Sequence, residues 1–257
     1  MNESNRLKGK WAVITGATSG IGKSAAKLFA EAGCNLILTG RREERLSDFA
    51  KELKSNFQVQ CDTSVFDVRD RTACSDFVDS ISHPVDILIN NAGLAVGTDP
   101  VDAGDFDDWD RMIDTNVKGL LNITRLMTPS MKKHGSGHII NIGSIAGHEA
   151  YPGGVVYCAT KHAVHAITQS MKKDLHGTNN RVSEVSPGLV ETEFSNVRFK
   201  GDDNRADDVY KGMKPLTALD IAEIVQFIAN RPDHVNIMDV VVFPVQQSSA
   251  TMIDRNS

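Results

Sequence analysis

The sequence predicts a doubly wound α/β domain, in which a mostly seven-stranded parallel sheet carries helices on both faces. Three observations lead to this fold class. Short apolar runs alternate with longer segments of helical periodicity along the 257 residues. These runs are apolar throughout, as strands are in a sheet that is covered on both sides. No linker, low-complexity tract or repeat divides the chain, so residues 1–257 are expected to form a single domain.

The strand candidates are short and evenly distributed. Helical spacing of Ile21, Ala25 and Phe29 precedes Gly33, which suits the residue after a helix. Thr217 and Asp220 resemble a capping box that opens a last helix reaching Ile228. The predicted strands are residues 11–15, 35–39, 86–89, 138–142, 181–185 and 239–243, with a weaker seventh candidate at 58–62.

Composition and charge exclude several partners. The formal net charge of −5 disfavours nucleic acid and anionic membranes as partners, and no apolar stretch approaches the roughly 20 residues of a membrane span. The first ten residues lack the apolar core of a secretory leader. Four cysteines without CxxC pairing, and His162 and His165 without a nearby ligand set, predict no metal site. The expected location is the cytoplasm.

A glycine-rich turn follows the first predicted strand directly. Gly16, Gly20 and Gly22 are spaced as GxxxGxG, and a helix begins at once near Ile21. Such a turn brings backbone N–H groups and a helix N-terminus to a pyrophosphate, and Thr18 and Ser19 add hydroxyl donors. Between a first strand and a first helix, this pattern predicts dinucleotide binding in a Rossmann-type domain.

The end of the second strand distinguishes between the two nicotinamide dinucleotides. An NAD site usually places a carboxylate here for the ribose 2′-hydroxyl, whereas this strand ends in Gly40, Arg41 and Arg42, with no carboxylate before Glu43. Guanidinium groups bind a 2′-phosphate through charge-assisted hydrogen bonds. The sequence therefore predicts NADP.

Further motifs give the chain a family resemblance. Asn90-Asn-Ala-Gly93 follows the third clear strand, Ser144 precedes Tyr157 by thirteen residues, and Tyr157 and Lys161 form a YxxxK motif. With the glycine turn and Pro187-Gly188 after a later strand, this order resembles the short-chain dehydrogenase/reductase family from about residue 10 to residue 245. The resemblance implies an oxidoreductase that acts on an alcohol or a carbonyl.

The chemistry of Tyr157 and Lys161 can be argued from the residues themselves. Hydride loss from a carbinol carbon requires removal of the hydroxyl proton, but a tyrosine with a pKa near 10 is a poor base at neutral pH. Four residues apart on a helix, the two side chains share one face. An ammonium about 4 Å from the phenolate would contribute about 4 kcal/mol, or roughly three pKa units. We therefore expect a tyrosine pKa near neutrality.

The resemblance also assigns the remaining site residues. It implies that Ser144 orients the substrate oxygen, that Asn116 holds a water in a proton relay through Lys161, and that the chain forms a homotetramer through the helices of Asn116 and Tyr157. Asp67 and Asn90 are implied near the adenosine half of the cofactor. The other implied cofactor contacts are Val68, Ala92, Gly93, Pro187, Gly188, Val190 and Thr192.

The segment after Pro187-Gly188 narrows the substrate. Residues 190–203 are similar to the substrate lid of NADP-dependent 3-hydroxy acid dehydrogenases, a subgroup with serine 3-dehydrogenases and L-allo-threonine dehydrogenases. This resemblance implies a lid at about residues 190–215 and substrates such as L-serine, L-allo-threonine and 3-hydroxyisobutyrate. A small 3-hydroxy acid needs its carboxylate held, and Arg198 is the expected clamp, with Lys200 nearby.

Two other functions remain open at the level of sequence. One is a reductase of ketoacyl, steroid or xenobiotic carbonyls, which would need a more open or apolar lid than Arg198-Phe-Lys200 provides. The other is a non-catalytic NADPH-sensing protein. Retention of Asn116, Ser144, Tyr157 and Lys161 favours an enzyme over a sensor.

Overall fold

A parallel sheet of seven strands forms the centre of the molecule. The computed structural model describes residues 5–255. The strand order is β3-β2-β1-β4-β5-β6-β9, and every pairing in this sheet is parallel. The strands are β1 (Trp11–Thr15), β2 (Asn35–Gly40), β3 (Cys61–Val65), β4 (Ile87–Asn90), β5 (Gly137–Ile142), β6 (Asn180–Pro187) and β9 (Asp239–Val242).

Helices cover both faces of the sheet. The helices are α1 (Gly20–Glu31), α2 (Glu43–Phe57), α3 (Arg71–Ser80), α4 (Phe106–Ile113), α5 (Leu120–His134), α6 (Val155–Asp174), α7 (Phe194–Arg198), α8 (Asp203–Asp208) and α9 (Ala218–Ala229). A π-helical segment, Asp114–Gly119, joins α4 to α5, and a 3₁₀ turn, Ile145–Gly147, follows β5. Two short parallel strands, β7 (Val190–Glu191) and β8 (Leu216–Thr217), pair outside the main sheet. Among residues 5–255, no helix combines the length and apolarity needed to cross a bilayer.

Alternation along the strands produces two apolar cores. Ile14 of β1 packs in one core with Phe29 of α1 and Val225 of α9. Its neighbour Val13 points to the other face, where it packs with Phe77 of α3 and Met127 of α5. Successive side chains of a strand point to opposite faces of the sheet. A strand whose side chains are all buried, such as β1, therefore needs helices on both faces. The predicted fold class is confirmed.

The element boundaries agree with the sequence except at one edge. The six clear strands are found within two residues of their predicted bounds, and Thr217 and Asp220 form the expected capping box of α9. The weak strand at 58–62 instead begins at Cys61. Gln58 has a left-handed backbone (φ 56°) that ends α2, so it cannot start a strand. Residues of this edge strand are largely exposed, which explains the weak apolar signal.

Strand order reverses between β1 and β4. Chain connections run outward to β2 and β3 on one side of this point and to β5, β6 and β9 on the other. The loops after β1 and β4 therefore diverge and leave a crevice at the carboxyl ends of the strands, where ligands bind in open α/β sheets.

Candidate active site

A cleft of about 440 Å³ opens at this edge of the sheet. Its floor is the glycine turn after β1 and the loops after β4 and β5, and its roof is the segment from Gly188 to Tyr210. The volume is within the range of pockets that hold a cofactor or a small substrate. The sheet topology thus collects residues that are far apart in the chain into one site.

The glycine turn requires its glycines. Gly16 and Gly20 have positive φ angles of 68° and 53°, a conformation that side chains disfavour. At Gly22, a Cβ atom would lie 2.4 Å from Asn91 Nδ2 and 2.6 Å from the Gly16 carbonyl oxygen. Asn91 Nδ2 donates to the carbonyl oxygens of Thr15 (2.9 Å) and Gly16 (3.1 Å). Gly22 therefore permits the contact that holds the turn against the loop after β4.

Arg42 lies directly over this turn. Its Nε and Nη2 atoms donate to Thr18 Oγ1 at 3.0 and 2.7 Å, and Nη2 also donates to Ser19 Oγ at 2.8 Å. Its Nη1 atom contacts Glu193 Oε2 at 2.8 Å, and Glu193 also pairs with Arg45 at 3.0 Å. These guanidinium groups concentrate positive charge at the mouth of the cleft, so the site suits a phosphate group.

Arg41 and Asp67 face each other on the same side of the cleft. Arg41 Nη1 is 3.6 Å from Asp67 Oδ2, which Arg69 contacts at 2.8 Å. Burial is the largest single influence on the pKa of Asp67 and raises it. Hydrogen bonds and charge from Arg69 together outweigh burial, so the pKa of Asp67 is lowered. Asp67 is thus an ionised carboxylate that lies between Arg41 and Arg69.

The candidate catalytic side chains meet deeper in the cleft. Ser144 follows β5, and its Oγ accepts a hydrogen bond from the Ala146 backbone at 3.1 Å. Tyr157 and Lys161 lie one turn apart on α6, and both are buried. Lys161 Nζ donates to the Ile142 carbonyl oxygen at 2.9 Å and lies 5.9 Å from the centre of the Tyr157 ring.

Burial governs the pKa values of this pair. It raises the pKa of Tyr157 above its usual value, with Tyr151 adding to the shift, while a hydrogen bond with Ser144 and the charge of Arg198 oppose it. It lowers the pKa of Lys161 to about 8, against the attraction of Glu184. The expected Tyr157 pKa near neutrality is therefore wrong for the chain alone. In a dry site, desolvation disfavours both charged forms more than their attraction favours them.

Asn116 lies just behind the cleft wall, in the π-helical segment. Its Nδ2 donates to the Leu94 carbonyl (2.8 Å) and to Thr160 Oγ1 (3.0 Å), and its Oδ1 accepts from the Leu94 backbone (2.9 Å). A Cβ atom on Gly93 would lie 3.3 Å from Asn116 Oδ1 and 3.8 Å from Lys161 Nζ. Because Gly93 has no side chain, Asn116 Oδ1 and Lys161 Nζ can both lie close to its backbone at the cleft wall.

Arg198 closes the far end of the cleft. It ends α7, and its guanidinium lies 5.6 Å from the Tyr151 ring centre and 6.0 Å from that of Tyr157. Its Nε atom is buried and has no hydrogen-bond partner within the described residues. Lys200 turns away instead and pairs with Asp108 at 2.7 Å. Of Arg198 and Lys200, only Arg198 faces the candidate catalytic residues.

Most residues predicted from the sequence share the cleft. Three lie behind its wall: Gly22, Asn90 and Asn116. Asn90 is buried and donates to Thr124 and Asn141, whereas its neighbour Asn91 lines the cleft. The predicted residues that line the cleft are Gly16, Thr18, Ser19, Gly20, Ile21, Arg41, Arg42, Asp67, Val68, Ala92, Gly93, Ser144, Tyr157, Lys161, Pro187, Gly188, Val190, Thr192 and Arg198.

Some cleft residues were not foreseen from the sequence. Gln247 Oε1 accepts from the Leu189 backbone at 2.8 Å and fills the space that a Cβ on Gly188 would need. Tyr210 donates to the Val190 carbonyl at 2.8 Å and contacts Ser195, so it holds α7 in place. Glu193 and Tyr151 also line the site. All four come from loops or short helices, where local periodicity gives no signal.

Known proteins are similar to this chain in sequence and in architecture. Residues 10–203 match the family model described as short chain dehydrogenase. Sulfoacetaldehyde reductase 2 of Chromohalobacter salexigens is 46% identical, over 95% of this chain and 98% of its own. The NADP-dependent 3-hydroxy acid dehydrogenase of Schizosaccharomyces pombe is 46% identical, over 98% of each chain.

A solved structure agrees over the same length. The closed form of a serine dehydrogenase complexed with NADP⁺ superposes with a TM-score of 0.89 at 43% identity, covering 96% of this chain and 100% of that one. The family match, with identity and coverage of this extent, shows that this chain is an oxidoreductase of the short-chain dehydrogenase family.

Proposed function

We propose that this protein transfers a hydride between NADP(H) and the β-carbon of a small anionic 3-hydroxy or 3-oxo acid. The observation that carries this proposal is the position of Arg198. Its guanidinium stands over the Tyr157 ring, and its buried donor Nε has no hydrogen-bond partner among residues 5–255. A buried donor without a partner is costly, so this atom is suited to a ligand that supplies an acceptor.

NADP is the cofactor that the residues of the cleft suit. The positive-φ glycines leave the backbone of the turn open to a pyrophosphate, and Arg41 and Arg42 flank the place where β2 ends. The strand carries no carboxylate there that would repel a 2′-phosphate. The relative from Schizosaccharomyces pombe is named as NADP-dependent, and the serine dehydrogenase structure contains NADP⁺.

Proton transfer is assigned to Tyr157. In the direction of oxidation, the substrate hydroxyl gives its proton to the Tyr157 phenolate while the carbinol C–H bond breaks, and a carbonyl forms. Bound NADP⁺ would supply the hydride acceptor and a positive charge that favours the phenolate. Ser144 holds the substrate oxygen, and Lys161 stabilises the phenolate electrostatically across 5.9 Å to its ring centre. Asn116, beside Gly93 and Lys161, is placed to continue the proton path.

Arg198 sets the substrate class. A carboxylate bound by its guanidinium would lie beside the Tyr157 ring, so the hydroxyl of a short acid could reach the phenol. L-serine, L-allo-threonine and 3-hydroxyisobutyrate meet this requirement. A bulky ketoacyl or steroid substrate would have to displace the guanidinium and the Tyr151 ring, which it faces at 5.6 Å.

A sulfonate could occupy the same place. The relative from Chromohalobacter salexigens is named a sulfoacetaldehyde reductase. Sulfoacetaldehyde carries its anion two bonds from the carbonyl carbon, as malonic semialdehyde does, and guanidinium binds planar or tetrahedral oxyanions through paired hydrogen bonds. We therefore include this aldehyde as a second candidate substrate.

The test is a steady-state screen with matched variants. The panel contains L-serine, the threonine isomers, 3-hydroxyisobutyrate, malonic semialdehyde, sulfoacetaldehyde and an uncharged secondary alcohol, with NADP(H) and NAD(H). Arg198→Met should reduce kcat/KM for the anionic substrates about 10- to 100-fold, because a hydrogen bond to a charged group contributes about 1.5–3 kcal/mol. It should reduce kcat/KM for the uncharged alcohol much less, only through the loss of a positive charge near Tyr157.

Lys200→Met is the matched control, because Lys200 lies on the same lid but pairs with Asp108 away from the cleft. Its kcat/KM should stay near the wild-type value. Equal losses on charged and uncharged substrates in Arg198→Met would reject the clamp. Tight NADPH binding without turnover of any panel member would instead favour a sensor.

A further inference from the structure

Two histidines and two carboxylates meet outside the cleft, beneath the loop that carries Ser144. His148 follows the 3₁₀ turn after β5, His165 lies on α6, Glu184 on β6, and Asp239 begins β9. The imidazole rings of His148 and His165 stand 4.5 Å apart. The four elements converge because β6 and β9 are paired, with Glu184 beside Asp239 in register.

Three potential metal ligands in this cluster face one another. Asp239 Oδ2 lies 4.0 Å from His148 Nε2 and 4.0 Å from His165 Nδ1, and all three atoms lie within 4.8 Å of each other. Around a tetrahedral Zn²⁺ with bonds of about 2.1 Å, ligand atoms are about 3.4 Å apart. Each side chain is partly exposed, at 22% to 32%, so the three can move closer by the roughly 0.6 to 1.4 Å that this geometry requires.

The charge balance of the cluster favours a cation. The Glu184 side chain is only 1% exposed, and its Oε2 atom lies 3.2 Å from His165 Nδ1. Within residues 5–255, the only ion-pair partners of Glu184 and Asp239 are the two imidazoles. A buried carboxylate is normally paired with a positive charge or coordinates a metal, and Glu184 is also attracted to Lys161. Among the described residues, the negative charge of Asp239 has only the two imidazoles beside it, and a divalent ion bound by these three side chains would offset it.

Both proposed ligand nitrogens have hydrogen-bond partners that a bound ion would replace. Ser186 Oγ donates to Glu184 Oε1 at 3.0 Å and lies 3.1 Å from His148 Nε2, and Glu184 Oε2 lies 3.2 Å from His165 Nδ1. Gln169 Nε2 lies 2.9 Å from His165 Nε2, the ring nitrogen that points away from the cluster. A partner on the distal nitrogen is what orients metal-binding histidines in proteins.

We propose that His148, His165 and Asp239 form a binding site for a divalent transition-metal ion of the Zn²⁺ type. His148 Nε2, His165 Nδ1 and an Asp239 oxygen bind the ion, solvent completes its coordination, and Glu184 compensates its charge. Imidazole nitrogens with one carboxylate select Zn²⁺, Co²⁺ or Ni²⁺ over Mg²⁺ and Ca²⁺, which prefer oxygen ligands. The ion would tie the segment after Ser144 to α6 and to the edge strand β9.

This site could not be found from sequence spacing. Its three ligands are separated by 17 and 74 residues (165 − 148 and 239 − 165), far from the short spacings of known zinc motifs. Only the pairing of β6 with β9 brings Asp239 beneath α6.

The experiment uses untagged, EDTA-treated protein and Co²⁺ as a spectroscopic probe. We expect one Co²⁺ per chain, a visible d–d absorption of low-symmetry Co²⁺, and displacement by Zn²⁺ but not by Mg²⁺. His148→Gln, His165→Gln and Asp239→Asn should each weaken Co²⁺ binding by about tenfold or more. His176→Gln, which alters an exposed histidine outside the cluster, should bind Co²⁺ like the wild type.

Circular dichroism and Tm measured without metal confirm that each variant is folded. NADP(H) turnover is measured separately, because the metal site does not depend on the proposed substrate. The site is supported by stoichiometric Co²⁺ binding that all three ligand variants weaken and His176→Gln does not. The proposal is overturned if the wild type binds no Co²⁺ at stoichiometric protein concentration, or if the ligand variants bind it as well as the wild type.

Discussion

Tyr157 and Lys161 are held in an environment that resists charge on either of them. Burial raises the pKa of the phenol and lowers that of the amine to about 8. A phenolate is therefore favoured here only when a compensating cation stands nearby. Lys161 stands 5.9 Å from the ring centre and is fixed by the Ile142 carbonyl, so its ammonium is already in position when the proton leaves the phenol.

Replacement of Lys161 by Met should move the pH dependence of alcohol oxidation upward. With Nζ about 6 Å from the ring centre and an effective dielectric near 20, a protonated Lys161 would stabilise the phenolate by about 2.8 kcal/mol, or about two pKa units. Without that charge the phenolate forms only at higher pH. We expect the midpoint of kcat/KM against pH, measured with saturating NADP⁺, to rise by about two units.

Lys173→Met supplies the control for this experiment, because Lys173 is an exposed lysine at the end of the same helix. Its pH profile should match the wild type. A Lys161→Met enzyme that is slower but has an unchanged midpoint would show that Lys161 acts through binding alone.

The motif predicted which residues meet, but not their pKa values. The four-residue spacing is sufficient to place Tyr157 and Lys161 on one helix face. The direction of the pKa shift depends on how completely Tyr157 is buried, and the side chains that bury it, such as Leu94 and Met112, come from other segments. A pair energy estimated from spacing alone omits desolvation, which here is the largest cause.

At the scale of elements, the lid and the phosphate turn are connected by one carboxylate. Glu193, just before α7, contacts Arg42 at 2.8 Å and Arg45 at 3.0 Å. A hydrogen bond from Arg42, followed by the charges of both arginines, outweighs burial and lowers the pKa of Glu193. Because Arg42 also contacts Thr18 and Ser19, a 2′-phosphate bound there would share its guanidinium with Glu193.

Replacement of Glu193 by Gln should therefore strengthen NADP⁺ binding. Removal of the negative charge reduces repulsion with the 2′-phosphate and frees Arg42 donors. An exposed ion pair contributes up to about 1 kcal/mol, so we expect at most about a fivefold decrease in Kd for NADP⁺ and a smaller change for NAD⁺. Isothermal titration calorimetry measures both constants.

Glu191→Gln, in the adjoining strand β7, is a control that removes the same charge from an exposed side chain of the lid. Weaker NADP⁺ binding in Glu193→Gln would contradict the idea that Glu193 and the 2′-phosphate compete for Arg42. It would show instead that Glu193 holds Arg42 in the position that binds the phosphate.

Regular elements were predictable, whereas connections of this kind were not. Periods of two and 3.6 residues identify buried strands and helices, and Thr217 with Asp220 marks the start of α9. The side chain of Glu193 acts 151 residues away from Arg42, where no local pattern reports it. Lys200 shows the converse, since its charge suggested a substrate contact but Asp108 holds it outside the cleft.

At the scale of the whole molecule, the cleft is assembled from nearly every layer of the fold. Loops after β1 to β6 supply its walls. The lid returns to the main body through the β7–β8 pairing and the Gln247 contact with Leu189. The topology follows from the order of apolar runs and helices, which can be read from the sequence. The shape of the lid follows from long-range packing, which cannot be read from the sequence.

A ligand that spans this cleft should stabilise the entire chain. At 100 times its Kd, NADP⁺ should raise the free energy of unfolding by about 2.7 kcal/mol, which is roughly 5 to 10 °C in Tm for a chain of this size. NAD⁺ at the same concentration should shift Tm less, since it offers no 2′-phosphate to Arg41 and Arg42. Differential scanning calorimetry of wild type and Tyr157→Phe separates binding from chemistry, because Tyr157→Phe should keep the NADP⁺ shift and lose turnover. Equal shifts with NAD⁺ and NADP⁺ would show that the arginine pair does not select the cofactor.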